Sequence, residues 1–246
     1  ATMTEIERAL RIDLAAAYRL VALHGWDDLI FTHLSVRIPG PEHAFLINPQ
    51  HLMFEEITAS SLVKIDVEGR PLNPDSAPTH PAGFVIHSAL HMAREDAQAV
   101  MHLHTPQGQA VSAMVEGLEP LTQTALLVRD DIAYHDYEGV ATDLDERARL
   151  VADLGDRSTM ILRNHGTLTV GQTVAEAFLR VYFLERACEA QVLALSAGRA
   201  GLTRPPQAVA DKAARQGAQG LDMAANHLAW PALPRKLDRI DPGFRA

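Results

Sequence analysis

The sequence has little of several residue types, and each scarcity excludes a class of protein. It contains a single cysteine, Cys188, among 246 residues, so no internal disulfide forms and we expect a reducing compartment, the cytoplasm. No stretch approaches the roughly 18 consecutive apolar residues of a membrane span. Lys and Arg number 22 against 31 Asp and Glu, a net charge of −9, which argues against nucleic acid or an anionic membrane as a partner.

Several catalytic signatures are also missing. The sequence has no G-x-S-x-G, no P-loop and no G-x-G-x-x-G, so it offers no support for a serine hydrolase or a nucleotide-binding enzyme. Histidine, in contrast, is abundant. There are 12 histidines, and His87, His91, His102 and His104 lie close together along the chain.

Periodicity and punctuation predict a mixture of helices and strands. Helical patterns cover 4–24, 81–94, the segment after Thr105, 143–155 and 173–197. Strand patterns cover 31–38, 44–47, 62–67, 99–104, one or two strands in 124–134, 159–163 and 168–170. The predicted fold class is therefore α/β or α+β with a substantial sheet. We see no domain boundary before about position 198, and the remaining tail reads as weakly helical.

The clearest chemical motif is His102-Leu103-His104 in the strand predicted for 99–104. Side chains alternate along a strand, so both imidazoles should face one side and Leu103 the buried side. His165, in Arg163-Asn164-His165-Gly166 at another strand end, supplies a third imidazole. Three histidine ligands with an open position are typical of a catalytic metal site.

Structural interpretations compete with the metal interpretation at each of these residues. An isolated His-x-His pair often has no metal, and His165 could simply be a hydrogen-bonded turn histidine. His87 and His91 are four residues apart on one predicted helix face, a spacing that suits either a metal or packing against the sheet.

The motifs together resemble the class II aldolase/adducin superfamily over about residues 6–197. The matching stretches are Phe31-Thr-His-Leu-Ser-Val-Arg37, Ile47-Asn-Pro49, Ile57-Thr-Ala-Ser-Ser-Leu-Val-Lys-Ile-Asp66, Ala82-Gly-Phe-Val-Ile-His87, Val100-Met-His-Leu-His-Thr105, Tyr134-His-Asp-Tyr-Glu-Gly139 and Leu162-Arg-Asn-His-Gly166.

The resemblance implies a three-layer α/β fold, with a central mixed, mostly antiparallel sheet covered by helices. It implies one domain over 1–200, with the helical tail 201–246 packed on that domain or on a neighbouring subunit. It also implies a homotetramer with active sites between subunits. The divalent metal of the aldolases would fall on His102, His104 and His165; zinc is expected, with Fe(II), Mn(II) or Co(II) as alternatives.

The departures from the sugar-phosphate aldolases bear on the substrate. Those enzymes place an acid/base Glu, followed by Trp, where this sequence has Gly83 and Phe84. Their phosphate-binding stretches align with His33-Leu34, Gln50-His51 and Pro81-Ala82, which lack the glycines and hydroxyls suited to a dianion. The resemblance therefore implies an unphosphorylated substrate and an adducin-like branch. The expected substrate-binding residues are His33, Ser35, Gln50, His51 and Gly83.

Three functions follow from these expectations. The first is a metal-dependent lyase on a small anionic oxo or hydroxy acid, in which the metal stabilises an enolate. Its proton-transfer residue would be His87 or His80 on the helix that carries Gly83, or Tyr134, Tyr137 or Glu138 from a neighbouring subunit. The second is a non-haem Fe(II) oxygenase of a 2-oxo acid. The third is a non-catalytic scaffold like the adducins, for which three converging imidazoles would have no purpose.

Overall fold

The computed structural model describes residues 4–73 and 76–246. Its longer helices are α1 (Glu5–Leu23), α2 (Pro81–Ala93), α3 (Pro106–Ser112), α4 (Gln123–Val128), α5 (Glu146–Leu154), α6 (Val174–Leu195), α7 (Gln207–Ala224) and α8 (Trp230–Ile240). Its strands are β1 (His33–Arg37), β2 (Phe45–Ile47), β3 (Val63–Ile65), β4 (Ala99–Leu103), β5 (Ile132–His135), β6 (Thr159–Leu162) and β7 (Gly166–Gly171).

The strands form one seven-stranded sheet in the order β3-β2-β1-β4-β7-β6-β5. All neighbours are antiparallel except the pair β5 and β6, which is parallel. The predicted mixed, mostly antiparallel sheet is therefore confirmed. The register between β1 and β4 sets His33 directly opposite His102, so residues from distant parts of the sequence share one face of the sheet.

Helices cover both faces of the sheet, which confirms the three-layer architecture. Ala99, Met101 and Leu103 of β4 pack into a core shared with α1 and α6. Val100 faces the other way, into a core with Ile86 of α2 and residues of α5. The alternation predicted for β4 therefore holds, and His102 faces the α2 side of the sheet.

Side chains cap the N-termini of several helices. The side chains of Thr4, Thr105 and Thr173 each accept a hydrogen bond from the backbone N–H three residues on. His80 caps α2 by accepting from Ala82 N at 3.2 Å, with Pro81 as the first helical residue. The cap at the start of α2 therefore fixes the position of the His80 side chain.

The strand prediction for 124–134 is wrong over its first half. Thr122 Oγ1 accepts from Ala125 N at 3.3 Å and starts the short helix α4, so only Ile132–His135 is a strand. The helix packs closely on α7: a Cβ added at Gly217 would lie 1.9 Å from the carbonyl oxygen of Leu127. This partner helix lies far along the chain, where a local pattern does not reveal it.

The C-terminal tail is more ordered than the sequence pattern indicates. It forms α7 and α8, joined by a π-helical turn, Ala225–Ala229. Trp230 packs on Phe178 with ring centroids 5.6 Å apart, and Phe244 is fully buried in the core that contains α1. The structure therefore places the tail against the domain of its own chain. None of the helices in 4–73 and 76–246 is long and apolar enough to cross a membrane.

Candidate metal centre and adjoining cavity

Three histidines converge at one end of β4. His102 is a buried residue near the end of β4, and His104 directly follows the strand. His165 lies in the turn between β6 and β7. Their ring centroids are 4.7 Å apart in each pair. One ligand atom from each lies within 4.8 Å of the others. The structure therefore brings together all three residues predicted as metal ligands.

The turn that carries His165 depends on its two neighbours. Asn164 has a φ of 58°, a left-handed conformation that asparagine tolerates better than most residues. Gly166 begins β7 so close to β4 that a Cβ there would lie 2.2 Å from the carbonyl oxygen of Leu103. Glycine is required because of this close approach. The backbone conformation of the turn therefore explains why asparagine precedes His165 and glycine follows it.

Hydrogen bonds to the far ring nitrogens orient two of the three imidazoles. His102 Nδ1 donates to the carbonyl oxygen of Thr167 at 2.8 Å, and the Thr167 hydroxyl donates to buried Glu185 at 2.8 Å. His104 Nδ1 donates to Asp28 Oδ2 at 3.2 Å. Each bond places the ring proton on Nδ1 and leaves Nε2 as the lone-pair nitrogen that a metal ligand requires. The Nε2 atom of His104 faces His165 Nε2 at 2.8 Å. Asp28 and Glu185 had no signal in the sequence.

The electrostatic environment keeps these imidazoles neutral. Burial, together with the neighbouring His104 and His135, lowers the pKa of His165 to about 4. Burial is also the main cause that lowers the pKa of His102 and of His104, although Asp28 opposes the effect at His104. Neutral imidazole is the form that coordinates a metal, so the donor set fits a divalent cation.

A cavity of about 350 Å³ opens beside the three imidazoles. His33, His80 and Tyr137 contribute to its wall, together with the exposed apolar side chains of Phe31 and Val140. Tyr137 lies with its ring centroid 6.0 Å from that of His165. Tyr137 therefore reaches the site from its own chain, and no neighbouring subunit is needed for this contact.

The imidazole of His33, which lines the cavity, packs directly against Gly83. A Cβ at position 83 would lie 3.0 Å from His33 Cδ2 and 3.1 Å from Ile47 Cδ1. Behind His33 lie the fully buried side chains of His87 and Ser35. The structure places both of these predicted site residues in the interior, with the Ser35 hydroxyl enclosed between His87 and His91. Neither is among the residues that line the cavity.

Four other predicted residues lie away from the cavity. His51 is exposed and Gln50 donates its backbone N–H to Pro78 O at 2.8 Å. The Tyr134 hydroxyl accepts from Leu118 N at 3.0 Å, on the opposite face of β5 from His135, in a separate cavity. The carboxylate of Glu138 is paired with Arg149. Their predicted roles in substrate binding or proton transfer gain no support from these positions within one chain.

A second cluster, centred on His135, lies next to the candidate metal centre. His135 Nδ1 donates to Asp153 at 2.6 Å and Nε2 donates to Glu146 at 2.9 Å, with Glu138 at 3.4 Å. Burial alone would lower the pKa of His135, but the hydrogen bonds to Asp153 and Glu146 outweigh it and raise the pKa. An imidazole that donates from both nitrogens has no lone pair for a metal. We therefore interpret this cluster as an ion-pair clamp between β5 and α5.

Comparison with known proteins identifies the family. The family model described as Class II Aldolase and Adducin N-terminal domain matches residues 12–192. The chain belongs to this family. Its relatives include a "Putative aldolase class 2 protein" of Caulobacter vibrioides, 59% identical over 98% of this chain and 94% of that protein.

Two further members of the family span its functional range. The structure of an L-fuculose 1-phosphate aldolase from Glaciozyma antarctica superimposes with a TM-score of 0.86, at 30% identity over 100% of this chain and 95% of that one. Alpha-adducin of Mus musculus is 45% identical over 77% of this chain but only 26% of that protein. Class II aldolases are typically metal-dependent lyases, whereas adducins are not enzymes, so family membership leaves the reaction open.

Proposed function

We propose that this protein is a divalent-metal-dependent lyase that acts on a small, unphosphorylated oxo or hydroxy acid. The observation that carries the proposal is the convergence of His102, His104 and His165 at the wall of a cavity of about 350 Å³. A pure scaffold has no need for three converging neutral imidazoles, two of them oriented by further hydrogen bonds, because polar rings removed from water cost stability unless their hydrogen bonds are satisfied.

His102, His104 and His165 would hold the metal through their Nε2 atoms, and those of His104 and His165 lie 2.8 Å apart. Zn²⁺ is the expected ion, with Fe²⁺, Mn²⁺ or Co²⁺ as alternatives that the same ligands accept. When bound, such an ion supplies Lewis acidity to a substrate oxygen and stabilises the negative charge that bond cleavage leaves there. None of the three ligands is a carboxylate, so an anionic substrate is favoured over a neutral one.

The proton-transfer groups that border the cavity are His80 and Tyr137. His80 Nδ1 accepts from Ala82 N, so the neutral ring carries its proton on Nε2 and can donate it. The Tyr137 residue is 53% exposed, which leaves its ring free to move against a bound molecule. These two side chains hold and deliver protons in the proposed reaction, in place of the Glu that is missing at position 83.

The lining of the cavity favours an unphosphorylated substrate. No Lys or Arg contributes to its wall in the described part of the chain. A phosphate dianion is normally bound by such cations or by glycine-rich backbone donors. An unphosphorylated substrate would distinguish the protein from its Glaciozyma antarctica relative, which is named for a sugar phosphate.

The active form is proposed to be a cytoplasmic homotetramer with the cavities near subunit interfaces. Two large apolar side chains that line the cavity are exposed: Phe31 is 43% and Val140 69% exposed. Exposed apolar side chains that cluster in this way commonly mark an interface. A second copy of the chain seated there would narrow the cavity and exclude water.

A non-catalytic role remains the second candidate, because the chain is 45% identical to mouse alpha-adducin over their shared region. The oxygenase alternative rests only on the suitability of three imidazoles for Fe(II). Metal analysis distinguishes a scaffold from an enzyme: a native protein without stoichiometric metal would favour the scaffold.

The proposed reaction is tested by incubating the zinc-loaded protein with a panel of small 2-oxo and hydroxy acids and analysing products by mass spectrometry. Metal-dependent cleavage or elimination without O₂ consumption supports the lyase. Activity only with Fe(II) and O₂ would support the oxygenase instead. His102→Ala is the matched control, since it removes one ligand and should abolish either activity.

A further inference from the structure

A chain of hydrogen bonds runs from the cavity wall into the protein core between β1 and α2. His33 Nδ1 lies 3.1 Å from His87 Nε2, and His87 Nδ1 contacts Ser35 Oγ. Ser35 Oγ lies 2.7 Å from His91 Nε2, and His91 Nδ1 lies 2.8 Å from the carbonyl oxygen of Ala97. The chain therefore has one end at the cavity and the other at a backbone carbonyl.

The carbonyl end fixes the direction of every bond in the chain. A carbonyl oxygen only accepts, so His91 carries its proton on Nδ1 and offers a lone pair at Nε2. The Ser35 hydroxyl must then donate to His91 and accept from His87 Nδ1. This leaves a lone pair on His87 Nε2, which accepts from His33 Nδ1. In a neutral ring the second nitrogen, His33 Nε2, is then an acceptor.

This pattern of donors and acceptors requires neutral imidazoles, and the surroundings of the four side chains favour that state. His33, Ser35, His87 and His91 are each at most 4% exposed. Among the described residues, no carboxylate forms a hydrogen bond with any of the four, and Arg37 donates to the His91 carbonyl at 3.1 Å. A buried imidazole that has no carboxylate nearby, and has a guanidinium close to it, does not readily take up a proton.

We propose that this chain of hydrogen bonds locks His33 as the Nδ1–H tautomer and makes its Nε2 a fixed hydrogen-bond acceptor that selects a substrate with a hydroxyl group over the corresponding oxo compound. The proposal rests on the proposed function, whose substrate class it narrows. An oxo oxygen only accepts and would meet the His33 lone pair, whereas a hydroxyl donates to it.

The position of His33 suits this role. It lines the cavity opposite His102 in the sheet, and its Nε2 forms no hydrogen bond with the described residues. The ring rests on Gly83, and His80 lies with its ring centroid 5.9 Å away. A substrate hydroxyl can donate a hydrogen bond to the acceptor on His33 and accept one from the donor on His80.

The tautomer is measured directly by NMR of the metal-free protein labelled with ¹⁵N-histidine, with His33→Phe used to assign the His33 signal. We expect Nδ1–H for His33 in the wild type. We expect a mixture or the Nε2–H form in Ser35→Ala, which breaks the chain. Ser88→Ala is the matched control, because the buried Ser88 hydroxyl has no hydrogen-bond partner among the described residues, and it should leave the His33 tautomer unchanged.

A wild-type His33 in the Nε2–H form would overturn the proposal whether or not Ser35→Ala folds. An unchanged tautomer in a folded Ser35→Ala protein would show that the buried chain does not control it. Both results are independent of metal binding, so a failure here is distinguishable from a failure of the proposed lyase function.

Selectivity is measured by calorimetric titration of the zinc-loaded protein with L-lactate and pyruvate, which differ only in the hydroxyl or oxo group. We expect lactate to bind about tenfold more tightly, the scale of one hydrogen bond. His33→Phe should remove this preference, and Ser88→Ala should retain it. The absence of the lactate preference in the wild type, or its persistence in His33→Phe, would overturn the proposal.

Discussion

His104 Nε2 and His165 Nε2 lie 2.8 Å apart at the mouth of the cavity. Because His104 donates from Nδ1 to Asp28, its Nε2 faces His165 as a lone pair. His165 Nε2 donates to this lone pair, and a divalent ion bound by both Nε2 atoms would replace the proton that lies between them. This relationship is the geometric basis of the proposed metal centre.

Replacing either ligand should release the metal. We expect His102→Ala and His165→Ala to lose bound zinc, from about one ion per chain in the wild type, as measured by elemental analysis after dialysis. His227→Ala is the control, because His227 is exposed on the turn between α7 and α8. Full metal content in both ligand variants would contradict the assignment.

A side chain at position 83 should disturb the site through His33. The added Cβ would lie 3.0 Å from the His33 ring, so we expect Gly83→Ala to lower the free energy of unfolding by about 1–3 kcal/mol. Gly83→Glu should in addition retain or tighten metal binding but lose activity, since it displaces His33.

The matched control for Gly83 is Gly220→Ala in α7, where a Cβ would meet nothing within 4 Å. That change should stabilise the protein by up to about 1 kcal/mol, because alanine favours a helix. Denaturant unfolding measures both variants. Native activity in Gly83→Glu would show that position 83 does not face the reacting groups.

Phosphorylated sugars should be poor substrates. The cavity wall lacks Lys and Arg among the described residues, and position 83 offers no acid/base side chain. Loss of a general acid/base typically lowers a rate by about 10² to 10⁴. We expect no retro-aldol cleavage of fuculose or rhamnulose 1-phosphate in a coupled assay, and turnover of about 1 s⁻¹ or more would refute the unphosphorylated class.

The His135 clamp should make stability depend on pH. Its pKa is raised above the usual value of about 6.5 by Asp153 and Glu146, so its contribution is complete below pH 6.5 and is lost as pH rises through the folded-state pKa. We expect His135→Gln to lower the free energy of unfolding by roughly 1–3 kcal/mol at pH 6 and by less at pH 9.

Denaturant titrations of the metal-free protein at the two pH values provide the measurement. Removing the metal prevents the candidate ligands from contributing to the difference. The control is His227→Gln, whose effect should be small at both pH values. An equal loss of stability in His135→Gln at pH 6 and pH 9 would rule out a charged His135.

The protein should assemble into tetramers. Multi-angle light scattering at micromolar concentration should give about four times 26.8 kDa, and Phe31→Asp together with Val140→Asp should shift the population towards smaller species by charging the exposed apolar rim of the cavity. A wild-type monomer would contradict the proposed assembly.

The sequence by itself determined the family, the sheet class and the convergence of two imidazoles. Alternation along a strand is a local rule, and it still relates His102 in β4 to His104, which directly follows the strand. Helix caps are equally local, because the side chains of Thr4, His80 and Thr173 accept from backbone N–H groups only two or three residues away.

Tertiary structure alone decided the rest of the site. Asp28 and Glu185 reach the imidazoles from distant segments, and no local pattern marks either of them. Strand register and helix packing bury His87 and Ser35 behind His33. They also direct the Tyr134 side chain away from the cavity. Such contacts join residues tens of positions apart, so their geometry depends on how whole elements pack, which periodicity does not encode.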